Sequence, residues 1–170
     1  MPRWWPEVLA AGVNSSIGLE FSNDYIESMK MAVFYGGARF SLLPHPAVSP
    51  VPLKNPTIWD AMRASTVNGA AIRRRDDLGR IEVGARADLA SVDVTGYFVG
   101  SPAVPPQPVY NLLYANGKSV VNVMTDGVLQ VHNGRLLIAD ERRIAERAGR
   151  VMEKLWAQAA AEGWFNDATG

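Results

Sequence analysis

A chain of 170 residues, 48% hydrophobic and 20% charged, is one domain's worth or a portion of a larger one, with apolar content enough for a core. Seventeen basic and seventeen acidic residues cancel, which excludes the basic footprint of a nucleic-acid binder. There is no cysteine, so disulfides and thiolate metal sites are excluded and a cytoplasmic setting is the default.

No apolar run approaches the ~20 residues that span a bilayer, so no membrane partner is expected. The opening MPRWWPEVLAAGV is too short in its apolar part for a secretory signal and reads as mature sequence. The histidine count decides more. There are two, His45 and His132, whereas a hydrolytic zinc or iron centre takes several imidazoles. No metal site and no cofactor are therefore expected in this chain alone.

In chain order, Pro6–Ala11 reads as a short helix with proline in its first turn and Gly12 at its end. Residues 14–19 (NSSIGL) read as a short strand. Asn23 or Asp24 caps a second helix carrying Ile26, Met29, Val33 and Gly37 at helical spacing. Gly36–Gly37 ends that helix or lets another backbone approach. Residues 41–56 hold five of the eleven prolines and read as a loop. Thr57 caps a helix whose inner face runs through Ile58, Ala61, Met62 and Ser65, and AIRRRDDLG is its polar exit.

Strands follow at 81–83 and 87–94 around Gly84, then a Gly/Pro-rich connection over 95–107 and one or two helical turns over 109–115. The segment VVNVMTDGVLQVHNGRLL reads as a meander, with Asp126–Gly127 and Asn133–Gly134 as type I′ turns. Asp140 caps a final long helix with Ile144, Ala148, Val151, Leu155 and Ala159 along one stripe. Gly163 stops it, and Trp164–Phe165 pack back.

Several side chains invite a chemical reading and favour a plainer one. Asn23–Asp24 can touch a substrate, but N-capping explains the pair more simply. His45 sits between two prolines on a surface excursion, and His132 lies beside a turn facing solvent. Arg73–Arg74–Arg75 is followed at once by Asp76–Asp77, which marks a solvated helix exit. Trp4 and Trp5 read as filling a subunit contact. Gly-rich phosphate loops, Ser-His-Asp sets and zinc-finger spacings are missing from the sequence.

The stretch LGRIEVGARADLASVD (78–93), just after a helix ending in TVNGA, resembles the tail of metal-dependent amidohydrolases of the cytosine-deaminase and chlorohydrolase kind. LAAGVNSSIGLE is similar to the helix and strand that end their (β/α)₈ barrel, and IESMKMAVF and WDAMRASTVNGAAI to the helices that follow. The resemblance covers about Val8 to Ala160. It implies a metal, zinc or iron, held at the C-terminal ends of barrel strands. The implied ligands are a His-x-His pair, further histidines, and an Asp ending the eighth strand. Only that last position falls in this chain, and it holds Glu20, one methylene longer. Its carboxylate would sit about an ångström away, against a tolerance of ~0.5 Å for catalytic groups. Ser22–Asn23 resembles the family's Ser-Asn stretch on the substrate side.

The expected fold class is α/β: the terminal βα portion of a TIM-like barrel (1–75), the C-terminal strands of a small β-sandwich (76–139) and a final long helix (140–170). The expected function is that of the C-terminal part of a metal-dependent hydrolase acting on C–N bonds of cyclic amides or amidines. Such a part is inactive alone. Glu20 is the candidate catalytic residue, with Ser22 and Asn23 as candidate substrate contacts. Three origins fit: one component of a split enzyme, a non-catalytic oligomeric or binding module of the same descent, or a shortened reading frame whose family pattern continues upstream of Met1. Unpaired strand edges and uncovered apolar faces predict a homo-oligomer or a complementary barrel chain as partner.

Overall fold

The computed structural model describes residues 4–18, 23–42, 53–99 and 107–165. They fall in two compact units, Met1–Gly134 and Arg135–Gly170. The first unit is α/β. Helices α1 (Trp5–Ala10), α2 (Tyr25–Leu42), α3 (Ile58–Ser65) and α4 (Val67–Ile72) precede strands β1 (Leu89–Val92), β2 (Val120–Thr125) and β3 (Val128–His132). The second unit holds the two-residue strand β4 (Arg135–Leu136) and helix α5 (Glu141–Ala161).

Local chemistry sets the helix boundaries. Proline in the first turn of α1 loses no hydrogen bond there, and Gly12 takes φ +67 where the chain turns away. The Asp24 carboxylate accepts from the amides of Ile26 and Glu27 and opens α2. A reciprocal capping box between Thr57 and Asp60 opens α3. At Thr66 the backbone leaves helical geometry (φ −127, ψ −96) and separates α3 from α4.

The core lies where α1, α2, α3 and the 3-10 turn Pro108–Leu113 meet. Trp5, Ile26, Met29, Ile58, Ala61 and Leu112 are buried there. Ile58 is 1% exposed, and such burial is worth about 2 kcal/mol. The buried row of α2 is Ile26, Met29, Ala32 and Gly36, turned slightly from the expected Val33 and Gly37. Gly36 explains the turn: a Cβ there would lie 2.7 Å from the Pro56 ring, so the helix meets that ring at its one side-chain-free residue. The glycine pair admits a close neighbour, and α2 runs on to Leu42.

Strands β1, β2 and β3 pair in order, all antiparallel, with Ser91 opposite Asn122 and Met124 opposite Leu129. Asp126 (φ 49) with Gly127 (φ 79), and Asn133 (φ 49) with Gly134 (φ 72), take the left-handed conformations of type I′ turns, as their residue types require. In the second unit, Asp140 accepts from the Arg143 amide to cap α5. Gly163 turns the chain at φ +77, and Phe165 returns to Trp156 with ring centroids 5.5 Å apart.

Two expected strands are not there. Residues 14–18 of the predicted strand at 14–19 carry no regular structure, and Leu19 lies outside the described residues. Side chains occupy the polar groups that a neighbouring strand would use. Residues 81–83 are not a strand either: Gly79 and Gly84 both take positive φ, and the Ala85 amide closes a turn on Glu82. Ile81 and Val83 stand 89% and 105% exposed. The loop predicted at 41–56 falls for the most part outside the described residues, as does much of the connection at 95–107. Among the described residues no helix is long and apolar enough to cross a membrane.

Candidate functional site

The candidate site is the stretch leading from α1 to α2, because Glu20 and Ser22 fall there, ahead of the start of α2. Both of those residues lie outside the described ones, so the site is built from its two borders. On the approach, Asn68 joins Asn14 and Ser15 by two hydrogen bonds across the chain. Asn14 Nδ2 donates to the Asn68 carbonyl at 3.4 Å, and Asn68 Nδ2 donates to the Ser15 carbonyl at 3.2 Å. The Trp5 indole donates to Ser15 Oγ at 3.1 Å, and the Tyr25 hydroxyl donates to the Ile17 carbonyl at 2.9 Å. Four bonds from α1, α2 and α4 thus hold a segment that has no strand beside it.

On the far side, Asp24 is the anchor. Its carboxylate caps α2 and also accepts from the Gly117 amide at 2.5 Å, tying α2 to the turn before β2. A Cβ at Gly117 would meet that carboxylate at 3.2 Å, so glycine allows the approach. Asn23, just ahead of it, is exposed. The two borders of the stretch, Asn14–Ile17 and Asp24, are therefore each pinned by hydrogen bonds. Asp24 is a structural residue here, and capping by Asp24 rather than Asn23 is the observed arrangement.

The other singled-out residues lie elsewhere. His45 is outside the described residues. His132 ends β3 with both ring nitrogens engaged: Nδ1 meets Asn122 Oδ1 at 2.9 Å, and Nε2 meets Asn133 Nδ2 at 3.2 Å. Trp5 is 6% exposed in the core rather than at a subunit contact, and Trp4 stacks on Arg39 with 3.8 Å from guanidinium to ring centroid. Arg39 also donates to Glu7 at 2.6 Å, and that hydrogen bond holds the Glu7 carboxyl below its ordinary pKa.

Of the arginine run, Arg75 forms a two-pronged pair with Asp77 at 2.6 and 2.7 Å. Arg86 bridges Asp77 and Asp126, and Asp88 accepts from the Asp126 amide at 2.7 Å. The Arg-Ala-Asp-Leu element therefore clamps the helix exit to the hairpin turn. Hydrogen bonding from Arg75, helped by Arg86, pulls Asp77 down to about 2. The sequence signal for this clamp was present in the alternation of arginines and aspartates. Asn68 and Tyr25 gave none, since their partners lie 53 and 8 residues away.

Chemically, the described residues do not fit a zinc or iron centre. Among them no three His, Cys, Asp or Glu side chains converge, the His132 nitrogens are engaged, and Asp24 is committed to backbone amides. What the arrangement provides is a braced segment, residues 14–17, and a capped helix that opens at Asp24.

Residues 5–129 match the Amidohydrolase family. Over 158 residues the chain is 32% identical to the 5′-deoxyadenosine deaminase of Methanopyrus kandleri, covering 88% of this chain and 33% of that protein. The 5′-deoxyadenosine deaminase of Methanosarcina acetivorans is 30% identical over 91% of this chain and 34% of its own length. A variant of the atrazine chlorohydrolase of Arthrobacter aurescens, solved with zinc and atraton, shares the fold: TM-score 0.65, 21% identity, 86% of this chain and 31% of that one. The chain spans about a third of the length of the curated relatives it matches.

Proposed function

The chain belongs to the amidohydrolase family, and on that premise we propose that it is the closing portion of a deaminase that hydrolyses the exocyclic C–N bond of an adenine nucleoside such as 5′-deoxyadenosine. The observation that carries this reading is the 32% identity to a 5′-deoxyadenosine deaminase over 88% of the chain. In the reaction, water adds its oxygen to the ring carbon, the C–N bond breaks, and ammonia leaves with the protons. The described residues make no metal centre, so the zinc or iron implied for a complete family member would be held by histidines on the remaining barrel strands. Those strands lie in a second polypeptide or in further sequence of the same protein.

In this reading residues 1–75 close the barrel, 76–139 supply sandwich strands, and 140–170 form a terminal helix. Glu20 is the strand-end carboxylate that handles a proton of the attacking water, and Ser22 and Asn23 face the substrate. The pinned borders support the assignment, because a catalytic carboxylate has to be held in place and both flanks of Glu20 are braced.

The test is co-expression of the full chain with the part of the Methanopyrus kandleri enzyme outside the matched third, followed by an ultraviolet assay for conversion of adenine to hypoxanthine in 5′-deoxyadenosine. Turnover by the pair and by neither component alone supports the reading. Turnover by the lone chain, or none by the pair, overturns it and leaves a non-catalytic module of the same descent.

A further inference from the structure

Helix α5 carries two parallel rows. Ile144, Ala148, Val151 and Leu155 form an apolar stripe, and Arg143, Arg147, Arg150 and Lys154 repeat its spacing one residue earlier. Ile144, Val151 and Leu155 are 52%, 57% and 52% exposed, and Ile144, Ala148 and Val151 line a shallow groove of about 510 Å³ with Arg147, Arg150 and Lys154. None of the four cations has an ion pair among the described residues. The helix's own ion pair, Arg142–Glu146, lies on the side away from the apolar stripe.

Glu146 and Glu153 stand three or four residues from Arg143 and Arg150, whereas Arg147 and Lys154, the two cations next to the apolar stripe, have no acidic residue at that spacing. Arg143–Arg147 and Arg150–Lys154 are like charges four apart, which destabilise a lone helix. An anionic wall opposite would relieve that repulsion.

The pattern selects among possible occupants. A second copy packed antiparallel sets cation row against cation row. Packed parallel, the row meets Met152 and Trp156, which carry no charge. A lipid surface favours cations on both borders of the apolar arc, whereas the other border here is Gly149, Arg142 and Glu153. A protein groove with one acidic wall matches the asymmetry. The helix also belongs to the scaffold shared with relatives. The 9% of the chain left uncovered by the Methanosarcina acetivorans enzyme is shorter than the stretch from Glu141 to the C-terminus, so the shared stretch runs into α5.

We propose that α5 is a docking helix whose receptor is an apolar groove, walled on one side by carboxylates, on the part of the family's barrel outside the third spanned by this chain. The inference rests on the reading that such a part completes the chain.

The test is binding of the full chain to the same Methanopyrus kandleri barrel portion, measured by calorimetry across a salt series. Val151→Asp with Leu155→Asp should weaken binding by about 30-fold or more, the scale of an interface hot spot. Arg147→Glu with Lys154→Glu should weaken it by about tenfold and flatten the salt dependence. All four positions are exposed, and circular dichroism checks that the variants keep their helix content. Wild-type binding that both variants match overturns the docking helix while leaving completion intact. Absence of wild-type binding overturns both. Tighter binding of the chain to phosphatidylserine vesicles than to the barrel portion overturns the protein groove in favour of a lipid surface.

Discussion

Gly79 and Gly84 bracket the turn inside the segment that carries the family resemblance, and their alanine variants should separate two costs. Both take positive φ, +79 and +93, where an L side chain is strained by about 1–2 kcal/mol. Their surroundings differ. A Cβ at Gly79 would lie 2.8 Å from the Thr66 carbonyl carbon and oxygen and 3.0 Å from Val67 Cα, whereas a Cβ at Gly84 meets nothing within 4 Å. The obstacle at Gly79 is backbone at the junction of α3 and α4, so relief requires moving a helix end and adds about 1–3 kcal/mol. Loss of glycine's freedom in the unfolded chain returns about 0.4–1 kcal/mol to each variant. The net expectation is about 2–4 kcal/mol for Gly79→Ala and about 0.5–1 kcal/mol for Gly84→Ala. Those values correspond to losses of about 5–15 °C and about 1–4 °C in Tm for a chain of this size. Thermal unfolding followed by circular dichroism reads both. Equal losses for the two variants would refute the packing of the turn beneath Thr66.

In the completed enzyme, Glu20→Gln should lower kcat by about 100-fold or more, while Glu20→Asp, which places the family's residue at this position, should retain turnover; equal rates for all three proteins would remove Glu20 from the chemistry. Stability should be flat from pH 5 to 8 as far as Glu7, Asp60, Asp77 and Asp93 are concerned, because all four have lowered carboxyl pKa values. For Asp77 the stabilisation is present above its unfolded value near ~4 and is lost as pH falls through its folded value of about 2, so Asp77→Asn should lower Tm slightly at neutral pH, leave it unchanged in strong acid and thereby shrink the acid-side decline. The lone chain should associate, since Phe34, Tyr35 and Trp59 stand 54%, 53% and 50% exposed on α2 and α3. A monodisperse monomer by light scattering at micromolar concentration would contradict that.

Features governed by neighbours in sequence are legible in the sequence alone. Thr57 with Asp60 and Asp140 with Arg143 mark helix starts because a side-chain oxygen satisfies amides two or three residues on. Asp126–Gly127 and Asn133–Gly134 mark hairpins because those residue types tolerate left-handed backbone. Features governed by distant partners were not legible. The Pro56 ring, twenty residues beyond Gly36, decides which row of α2 turns inward. Ile81 and Val83 alternate as a strand would, yet the two left-handed glycines make the segment a turn. At the site, the family resemblance pointed to Glu20, Ser22 and Asn23. The bracing of Ser15, Ile17 and Asp24 on either side, by Asn68, Tyr25 and Gly117, depends on contacts that local spacing does not encode.

Burial is distributed unevenly within the first unit, and that unevenness bears on function. The helical part has its own core around Ile58 and Ala61, both at most 1% exposed. The sheet has none: every residue of β1, β2 and β3 is half-buried or exposed. Three strands whose apolar residues are only half covered gain little from burial. The Arg75–Asp77–Arg86–Asp126 clamp, not packing, joins the hairpin to the helix exit. Exposed ion pairs of this kind contribute little each, so the clamp sets geometry more than it stabilises. A sheet held in register by polar contacts and left open on its faces is suited to receive further strands. The 5′-deoxyadenosine deaminases, about three times the length of the stretch they share with this chain, have the sequence to supply them.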